Sequence, residues 1–130
     1  MSKHILVIDD NKLILTVISD ILIAAGYKVS TAEEVVYCND IIYGNHPPDL
    51  ILMDIHLPLM SGNQKVRIMK RRPTGKNIPI ILISSMGENE LKAKAADCGA
   101  DGYLVKPIDD QLLLATVEQT LSAGSGAAYA

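Results

Sequence analysis

The sequence predicts an α/β fold in which a single parallel sheet is doubly wound, with helices covering both of its faces. Three observations predict it. Short apolar runs recur along the 130 residues, and a segment long enough for a helix follows each of them. The runs are almost continuously apolar, which is typical of strands buried on both faces. All six prolines fall in the predicted joints or at the starts of elements, where a missing N–H is tolerated.

Five runs are predicted to be strands, and five helices alternate with them. The strands are "ILVI" at 5–8, "KVSTA" at 28–32, "LILM" at 50–53, "IPIILIS" at 78–84 and "YLV" at 103–105. The first helix is predicted to follow Asp10 or Asn11, since either can cap it, and to end at Gly26. Its predicted core face carries Ile14, Val17, Ile18 and Ile21. Further helices are predicted at 33–43, 63–71, 88–97 and 109–121.

Composition argues against several classes of function. The net charge of −3 provides no general attraction to nucleic acid or to an anionic membrane. Half of the twelve basic residues fall within 65–76, but no Phe or Trp is present to stack on bases, which favours a solvated helix end and loop. Cys38 and Cys98 lack metal-type spacing and suit two buried thiols in a reducing compartment. With no signal peptide and no apolar stretch of about 18 residues, a cytoplasmic location is expected.

Polar side chains stand at the ends of four predicted strands. They are Asp9 and Asp10 at the first strand, Asp54 at the third, Ser84 at the fourth and Lys106 at the fifth. Because the carboxyl ends of parallel strands meet at one edge of the sheet, where ligands bind, these side chains are expected to lie together. Three neighbouring carboxylates repel one another unless a cation sits among them, and Mg²⁺ takes carboxylate oxygens. A carboxylate beside Mg²⁺ can attack phosphorus, while a lysine and a hydroxyl stabilise the phosphoryl oxygens.

Each of these residues also has an ordinary structural interpretation. Asp9 or Asp10 could cap the first helix, and Asp54 could be an aspartate at a strand-to-loop junction. Ser84 could be a core hydroxyl bonded to backbone, and Lys106 could be a solvated loop lysine. Such roles account for single residues, but they do not account for all five at the same ends of successive strands.

Four ordered motifs, "VIDDN", "LILMDIHLPLMSG", "PIILISS" and "GYLVKP", lie between residues 7 and 107, within a resemblance to a known family that extends from about residue 3 to 122. With them the sequence resembles the receiver domain of bacterial two-component response regulators, and it is similar to the single-domain chemotaxis response regulator. The resemblance implies a flavodoxin-like (βα)5 sheet with strand order 2-1-3-4-5. It also implies a receiver domain at 1–122, which leaves 123–130 as a flexible tail or a linker stub.

The resemblance implies a role for each matched residue of the acidic site. Asp54 matches the phosphoacceptor. Asp10 and Asp54 would ligate Mg²⁺ directly, with Asp9 acting mainly through water, and the backbone carbonyl of His56 would complete the protein ligands. A side-chain contact from His56 is the alternative, which the preference of Mg²⁺ for oxygen disfavours.

Further residues match the switch of this family. Ser84 matches the hydroxyl residue that moves to meet the phosphoryl group, and Lys106 matches the lysine that pairs with the phosphorylated aspartate. Tyr103 matches the aromatic residue that turns inward with this movement, and the family usually has a cis bond before the proline numbered Pro107 here. Phosphorylation is then expected to favour one pre-existing arrangement of the loops around 84–110. Met86 cannot orient a water by hydrogen bonding, so we hypothesise slow self-dephosphorylation.

The implied partners are a sensor histidine kinase or a histidine phosphotransferase, and a downstream protein target or an output domain absent from this chain. Leu15, Leu22 and Ile23 lie partly outside the predicted core face of the first helix, so they are candidates for docking the phosphodonor. A broader buried face is the alternative. Direct contact with nucleic acid or a membrane is not expected. A stand-alone receiver and a receiver excised from a larger protein both remain open.

Competing functions can be compared on particular residues. A phosphatase with an aspartyl nucleophile on a related sheet usually has a second aspartate two residues later, where this chain has His56. A purely structural module would not need Asp9, Asp10, Asp54, Ser84 and Lys106 together. A flavin domain needs aromatic residues to flank the ring, and these are scarce here. The favoured function is a signalling switch that promotes its own Mg²⁺-dependent phosphorylation and dephosphorylation and is not otherwise an enzyme.

Overall fold

The described part of the chain, residues 2–36 and 38–123 of a computed structural model, contains a five-stranded parallel sheet between two layers of helices. The strands are β1 (His4–Ile8), β2 (Lys28–Ala32), β3 (Leu50–Asp54), β4 (Ile80–Ser84) and β5 (Gly102–Val105). They lie in the order β2-β1-β3-β4-β5, which confirms the predicted fold class and strand order. β3 and β4 are buried over their whole length, as expected for central strands covered on both faces.

Five helices cover the sheet: α1 (Lys12–Ala24), α2 (Asn39–Ile42), α3 (Gly62–Lys70), α4 (Glu88–Cys98) and α5 (Asp110–Ala123). α1 and α5 cover one face, over a core cluster that includes Ile18 and Val117. α2, α3 and α4 cover the other face, over a cluster that includes Ile42 and Met69. Alternate strand residues supply the two clusters because successive side chains point to opposite faces. The carboxyl ends of the strands are thereby held between two packed layers.

Asn11 caps α1. Its Oδ1 accepts hydrogen bonds from the backbone N–H groups of Leu13 and Ile14, at 2.9 and 3.2 Å. Asp9 Oδ1 in turn accepts the N–H of Asn11 at 2.9 Å. Of the two caps that the sequence allowed, Asn11 is therefore the one used, and the helix does not need Asp10 as its cap.

The predicted helix at 33–43 is wrong for most of its length. Helical structure is confined to α2, a single turn of four residues, and residue 37 lies outside the described residues. Val35 and Cys38 are fully buried in the core, and Cys38 Sγ donates to the carbonyls of Glu34 and Val35. The packing of these two side chains favours an irregular turn before α2, which outweighs the moderate helix propensity of the segment.

The buried face of α1 is the broader one that the sequence left open as the alternative to a docking surface. Leu15, Ile18 and Leu22 are buried, whereas Val17 is 43% exposed. The helix contacts β1, β2 and α5 together, so a wider surface than one narrow stripe is covered. The prediction that Leu15 and Leu22 belong to a docking surface is therefore wrong, and of the three candidates only Ile23 is exposed.

The basic segment at 65–76 is only partly a solvated surface. Arg71 and Arg72 are exposed, as predicted, but Lys65 is only 4% exposed. The Lys70 ammonium lies 2.9 Å from Asp101 Oδ2 and is about one-fifth exposed. Part of the basic segment therefore serves packing inside the domain, which its composition alone did not reveal.

Other predictions concern the cysteines, the tail and the membrane. Cys38 and Cys98 are free and buried, as predicted. Of the expected tail at 123–130, Ala123 ends α5, and 124–130 lie outside the described residues. None of the helices within 2–36 and 38–123 has the length and apolar character needed to cross a membrane.

Candidate functional site

Three carboxylates converge at the carboxyl ends of β1 and β3. Asp9 and Asp10 directly follow β1, and Asp54 is the last residue of β3. Carboxylate oxygens of all three residues lie within 4.8 Å of one another. Asp9 and Asp54 are buried, whereas Asp10 is exposed, so the cluster opens to solvent on the side of Asp10. The expectation that these residues meet at one edge of the sheet is confirmed.

Lys106 reaches this cluster from the end of β5. Its Nζ lies 2.8 Å from Asp9 Oδ2 and 3.3 Å from Asp54 Oδ2. Its backbone N–H donates to the Ser84 carbonyl at 2.8 Å, and the bond to Pro107 is cis, as the resemblance implied. Burial alone would lower the pKa of Lys106, but the hydrogen bond that its ammonium donates to Asp9 and the charges of Asp54 and Asp9 raise it above its ordinary value. The lysine is therefore a fixed cation in the site.

Asp54 is held in a buried position that disfavours its ionised form. Burial and the neighbouring charge of Asp9 raise the pKa of Asp54, although Lys106 and the backbone N–H of His56 act in the opposite direction. That N–H donates to Asp54 Oδ1 at 3.2 Å. The site thus holds more negative charge than one lysine compensates.

Ser84 and Tyr103 border the site on β4 and β5. Asp54 is in register with Ile83, so Ser84 lies one residue beyond the partner of Asp54. The Ser84 side chain is fully buried, and its Oγ accepts the Met86 N–H at 3.2 Å, which is the ordinary backbone-bonded role considered above. Tyr103 is partly buried against the core, and its OH lies 3.5 Å from Glu88 Oε1.

Gly62 is a residue of the site that the sequence did not single out. Its N–H donates to the Ile55 carbonyl at 2.9 Å, which folds the loop after β3 back onto the strand end. A Cβ built on Gly62 would lie 2.2 Å from the backbone carbonyl oxygen of Asp54. Only glycine permits this approach, so Gly62 helps to fix the backbone that presents Asp54. Its place in "LMSG", just before a predicted helix, was the one available signal.

The donor set fits a hard divalent cation. The converging atoms are carboxylate oxygens, which are the ligands that Mg²⁺ prefers. Crowding of Asp9 and Asp54 raises the cost of ionising Asp54, and a cation among them would remove that cost. Exposed Asp10 leaves a solvent-facing side at which water or an anionic substrate could complete the coordination.

Comparison with known proteins identifies the domain. A family model described as the response regulator receiver domain matches residues 5–118. The chain belongs to this family. Receiver domains are signalling domains, and the homologues are the phosphoacceptor domains of two-component systems. The resemblance seen in the four sequence motifs is thereby confirmed.

Individual relatives agree with the receiver family. Phosphate regulon transcriptional regulatory protein PhoB of Pseudomonas aeruginosa is 36% identical over 121 residues, which cover 93% of this chain and 52% of that protein. The chain thus spans about half the length of this relative. Chemotaxis response regulator CheY4 of Vibrio cholerae matches in structure with a TM-score of 0.84 and 28% identity, covering 92% of this chain and 99% of that one.

A further solved structure shares the fold. It is the receiver domain of a sensor histidine kinase from Pseudomonas aeruginosa, solved with a magnesium ion coordinated in the active site cleft. Its TM-score is 0.84 at 24% identity, and the match covers 94% of this chain and 99% of that one. At this identity the likeness concerns the fold.

Proposed function

We propose that Asp54 accepts a phosphoryl group and that the receiver domain signals through the resulting change in its surface. The observation that carries the proposal is the position of Lys106, whose ammonium lies within 3.3 Å of both Asp9 and Asp54 in a cluster of three carboxylates. A lysine and a metal-type acidic cluster around one buried carboxylate are the parts that phosphoryl transfer requires.

In the proposed reaction, an Asp54 carboxylate oxygen attacks the phosphorus of the donor. The new O–P bond forms as the bond from phosphorus to the leaving group breaks, and the leaving group departs with the bonding electron pair. Lys106 then pairs with the phosphorylated side chain. Ser84 Oγ exchanges its bond with the Met86 N–H for a hydrogen bond that its own hydroxyl donates to a phosphoryl oxygen.

We propose that Asp10 and Asp54 hold Mg²⁺ directly, that Asp9 acts mainly through water and that the His56 backbone carbonyl completes the protein ligands. The metal would neutralise charge on the transferring phosphoryl group. Asp9 is also the residue in closest charge contact with Lys106, so it couples the lysine to the acidic cluster.

The proposed phosphodonor is a sensor histidine kinase or a histidine phosphotransferase in the cytoplasm. Its docking surface on this domain includes Leu13 and Val17, which are 72% and 43% exposed on α1. Both lie within the first two turns of α1, the helix that follows Asp10 along the chain. These two residues replace all three candidates of the sequence-based hypothesis, because Leu15 and Leu22 are buried and Ile23 lies at the opposite end of α1.

The proposed output is a change in the surface around 84–110. Tyr103 is the candidate switch residue, since its partly buried ring and its OH near Glu88 leave it an inward and an outward position. The target is a downstream protein or an output domain. PhoB is named as a transcriptional regulator, but the chain matches about half of it, so no nucleic-acid contact is assigned to the domain.

We propose that the domain promotes its own phosphorylation and dephosphorylation but turns over no separate substrate. His56 stands where an aspartyl phosphatase usually has a second carboxylate, which disfavours rapid turnover. Met86, partly buried beside the site, offers no hydrogen bond to orient a water. The acyl phosphate should therefore be lost slowly.

The test is the intact mass of the protein after incubation with acetyl phosphate and Mg²⁺. We expect a gain of one phosphoryl group in the wild-type protein and no gain in Asp54→Asn or in the presence of EDTA. A gain that persists in Asp54→Asn would remove Asp54 from its proposed role. No gain in a wild-type protein that still binds Mg²⁺ would favour a module that acts without phosphorylation.

A further inference from the structure

A polar cleft lies at the opposite end of the sheet from the acidic cluster. It is bounded by the start of β1, by β2 and by the loop before β3, and its volume is about 840 Å³. The length of β1 separates it from Asp9 by roughly 15 Å, at about 3.3 Å per residue. Its side chains have no part in the proposed phosphoryl transfer.

The lining of the cleft is rich in hydrogen-bond donors. Six side chains that can donate line it: Ser2, His4, Lys28, Ser30, Asn45 and His46. Two of the three histidines of the chain are among them. Asp49 is the one carboxylate that lines the cleft, and the backbone N–H of His4 already donates to its Oδ2. The cleft therefore offers several donors to an anion, and among them Lys28 is the one side chain that can donate but not accept.

Short hydrogen bonds fix the walls of the cleft. The His4 imidazole Nε2 lies 2.7 Å from Ser30 Oγ, which ties β1 to β2 through side chains. Asp49 is tied to His4 by its carboxylate at 2.8 Å and by its own N–H, which donates to the His4 carbonyl at 2.7 Å. A site whose groups are already positioned loses little freedom when a ligand binds.

We propose that this cleft binds a phosphoryl group, as inorganic phosphate or as a small phosphomonoester. Lys28 supplies a permanent positive charge, and His4, His46 and Ser30 supply directional donors, which is the set that recognises phosphate oxygens. Val29 and Pro47 give the cleft a small apolar wall against which an organic substituent could rest. This site is independent of phosphorylation at Asp54.

A metal ion is the competing occupant, since the cleft holds two imidazoles and a carboxylate. Among the residues that the structure describes, however, Asp9, Asp10 and Asp54 form the one group of three or more His, Cys, Asp or Glu residues whose ligand atoms come within 4.8 Å of one another. Lys28 also adds a positive charge that would repel a metal cation. These two features favour the anion.

The test is a titration of the full chain followed by the NMR signals of its three histidine rings. Inorganic phosphate and glycerol 3-phosphate are added separately at about pH 6.5, within the range in which imidazoles protonate, with EDTA present. We expect saturable shifts of His4 and His46 and none of His56, which reports on the phosphorylation site. Tighter binding of glycerol 3-phosphate would indicate a phosphomonoester, and equal binding would indicate phosphate itself.

Two substitutions decide the outcome. Lys28→Ala should weaken binding about tenfold, the effect of losing one hydrogen bond to a charged group, while exposed Lys12→Ala on α1 should leave it unchanged. Equal binding by Lys28→Ala and the wild-type protein would overturn the proposal. So would shifts confined to His56, or saturable shifts of His4 and His46 with Zn²⁺ but not with phosphate.

Discussion

The Lys106 ammonium lies 2.8 Å from Asp9 Oδ2, closer than its 3.3 Å to Asp54. The lysine is therefore fixed mainly by the fully buried Asp9, a residue that is not itself the proposed phosphoacceptor. Because Asp9 also belongs to the acidic cluster, Lys106 and a divalent cation compete for the same negative charge.

This competition predicts a change in metal affinity. Lys106→Met should bind Mg²⁺ about tenfold more tightly, because removing one cation among the carboxylates relieves repulsion worth about 1.4 kcal/mol. In the same variant, phosphorylation of Asp54 should produce a smaller change in the surface around 84–110. Isothermal titration calorimetry measures the affinity, with exposed Lys12→Met as the matched control. Unchanged or weaker Mg²⁺ binding by Lys106→Met would contradict the competition.

Asp54 makes the metal-free protein less stable at neutral pH. Its pKa is raised in the folded state by burial and by Asp9, so between the ordinary and the raised pKa the folded protein binds more protons than the unfolded chain. The free energy of unfolding therefore falls as pH rises through this window, and the full cost of ionising Asp54 is present above its raised pKa. Without Mg²⁺, Asp54→Asn should raise Tm by several degrees at pH 7 and not at about pH 3. A lower Tm than the wild type at pH 7 would show that ionised Asp54 is stabilising.

Lys65 is a buried cation whose replacement should stabilise the fold. Its Nζ donates to Asn39 Oδ1 at 2.6 Å and lies 5.6 Å from the centre of the Tyr43 ring, but burial lowers its pKa. Lys65→Met should add about 1 kcal/mol to the free energy of unfolding at neutral pH, since a charge no longer has to be buried. Urea denaturation measures this, with exposed Lys92→Met as the control.

The pH dependence of the Lys65 effect has a definite sign. Between the lowered native pKa and the ordinary value of about 10.5, the unfolded chain binds more protons than the folded protein. The wild type is therefore stabilised as pH rises through this window. The advantage of Lys65→Met should shrink accordingly, and an advantage that grows with pH would count against burial as the cause.

Two aspartates near α4 should differ in their contribution to stability. Asp101 Oδ2 accepts hydrogen bonds from Lys70 Nζ at 2.9 Å and from the Ile80 N–H at 2.8 Å, and both charged side chains are largely buried. Asp101→Ala should cost about 2 to 3 kcal/mol, since it leaves buried donors without their acceptor. Asp97→Ala should cost less than about 1 kcal/mol, because its ion pair with Arg67 is exposed. Equal costs in chemical denaturation would contradict this account.

The exposed start of α1 should affect the rate of phosphotransfer only when the phosphodonor is a protein. Leu13→Glu should slow phosphotransfer from a cognate histidine kinase about tenfold, the effect of losing one apolar anchor at an interface, and leave phosphorylation by acetyl phosphate unchanged. Ile23→Glu, 57% exposed at the far end of the same helix, is the matched control. If the two variants slow transfer equally, or Leu13→Glu also slows the reaction with acetyl phosphate, the docking surface is misplaced.

The sequence predicted the sheet and the acidic site well because both depend on local patterns. Continuous apolar runs such as Leu50–Met53 require burial on both faces, and parallel strands bring their carboxyl ends together. Asp9, Asp54 and Lys106 therefore had to meet once the strands were assigned. The strand order and the residue roles came from the family resemblance.

The wrong or missing predictions concern features that depend on tertiary packing. The pattern of α1 left burial of Leu15 as one of two alternatives and placed Val17 on the core face, where it is in fact exposed, because the packing of α1 on β1, β2 and α5 sets the width of the buried face. The segment before α2 has the composition of a helix, but the burial of Val35 and Cys38 favours a turn. Gly62 went unnoticed because its importance is a close contact with the backbone of Asp54, which only the folded structure reveals.

The most direct test of the central claim is to locate the phosphoryl group. After incubation with acetyl phosphate and Mg²⁺, borohydride reduces an acyl phosphate to the corresponding alcohol, and peptide mass spectrometry then identifies the modified residue. We expect reduction at Asp54 alone, lost in EDTA. Reduction at Asp9 or Asp10 with Asp54 unmodified would contradict the assignment, since the acceptor would then be a residue that we place among the metal ligands.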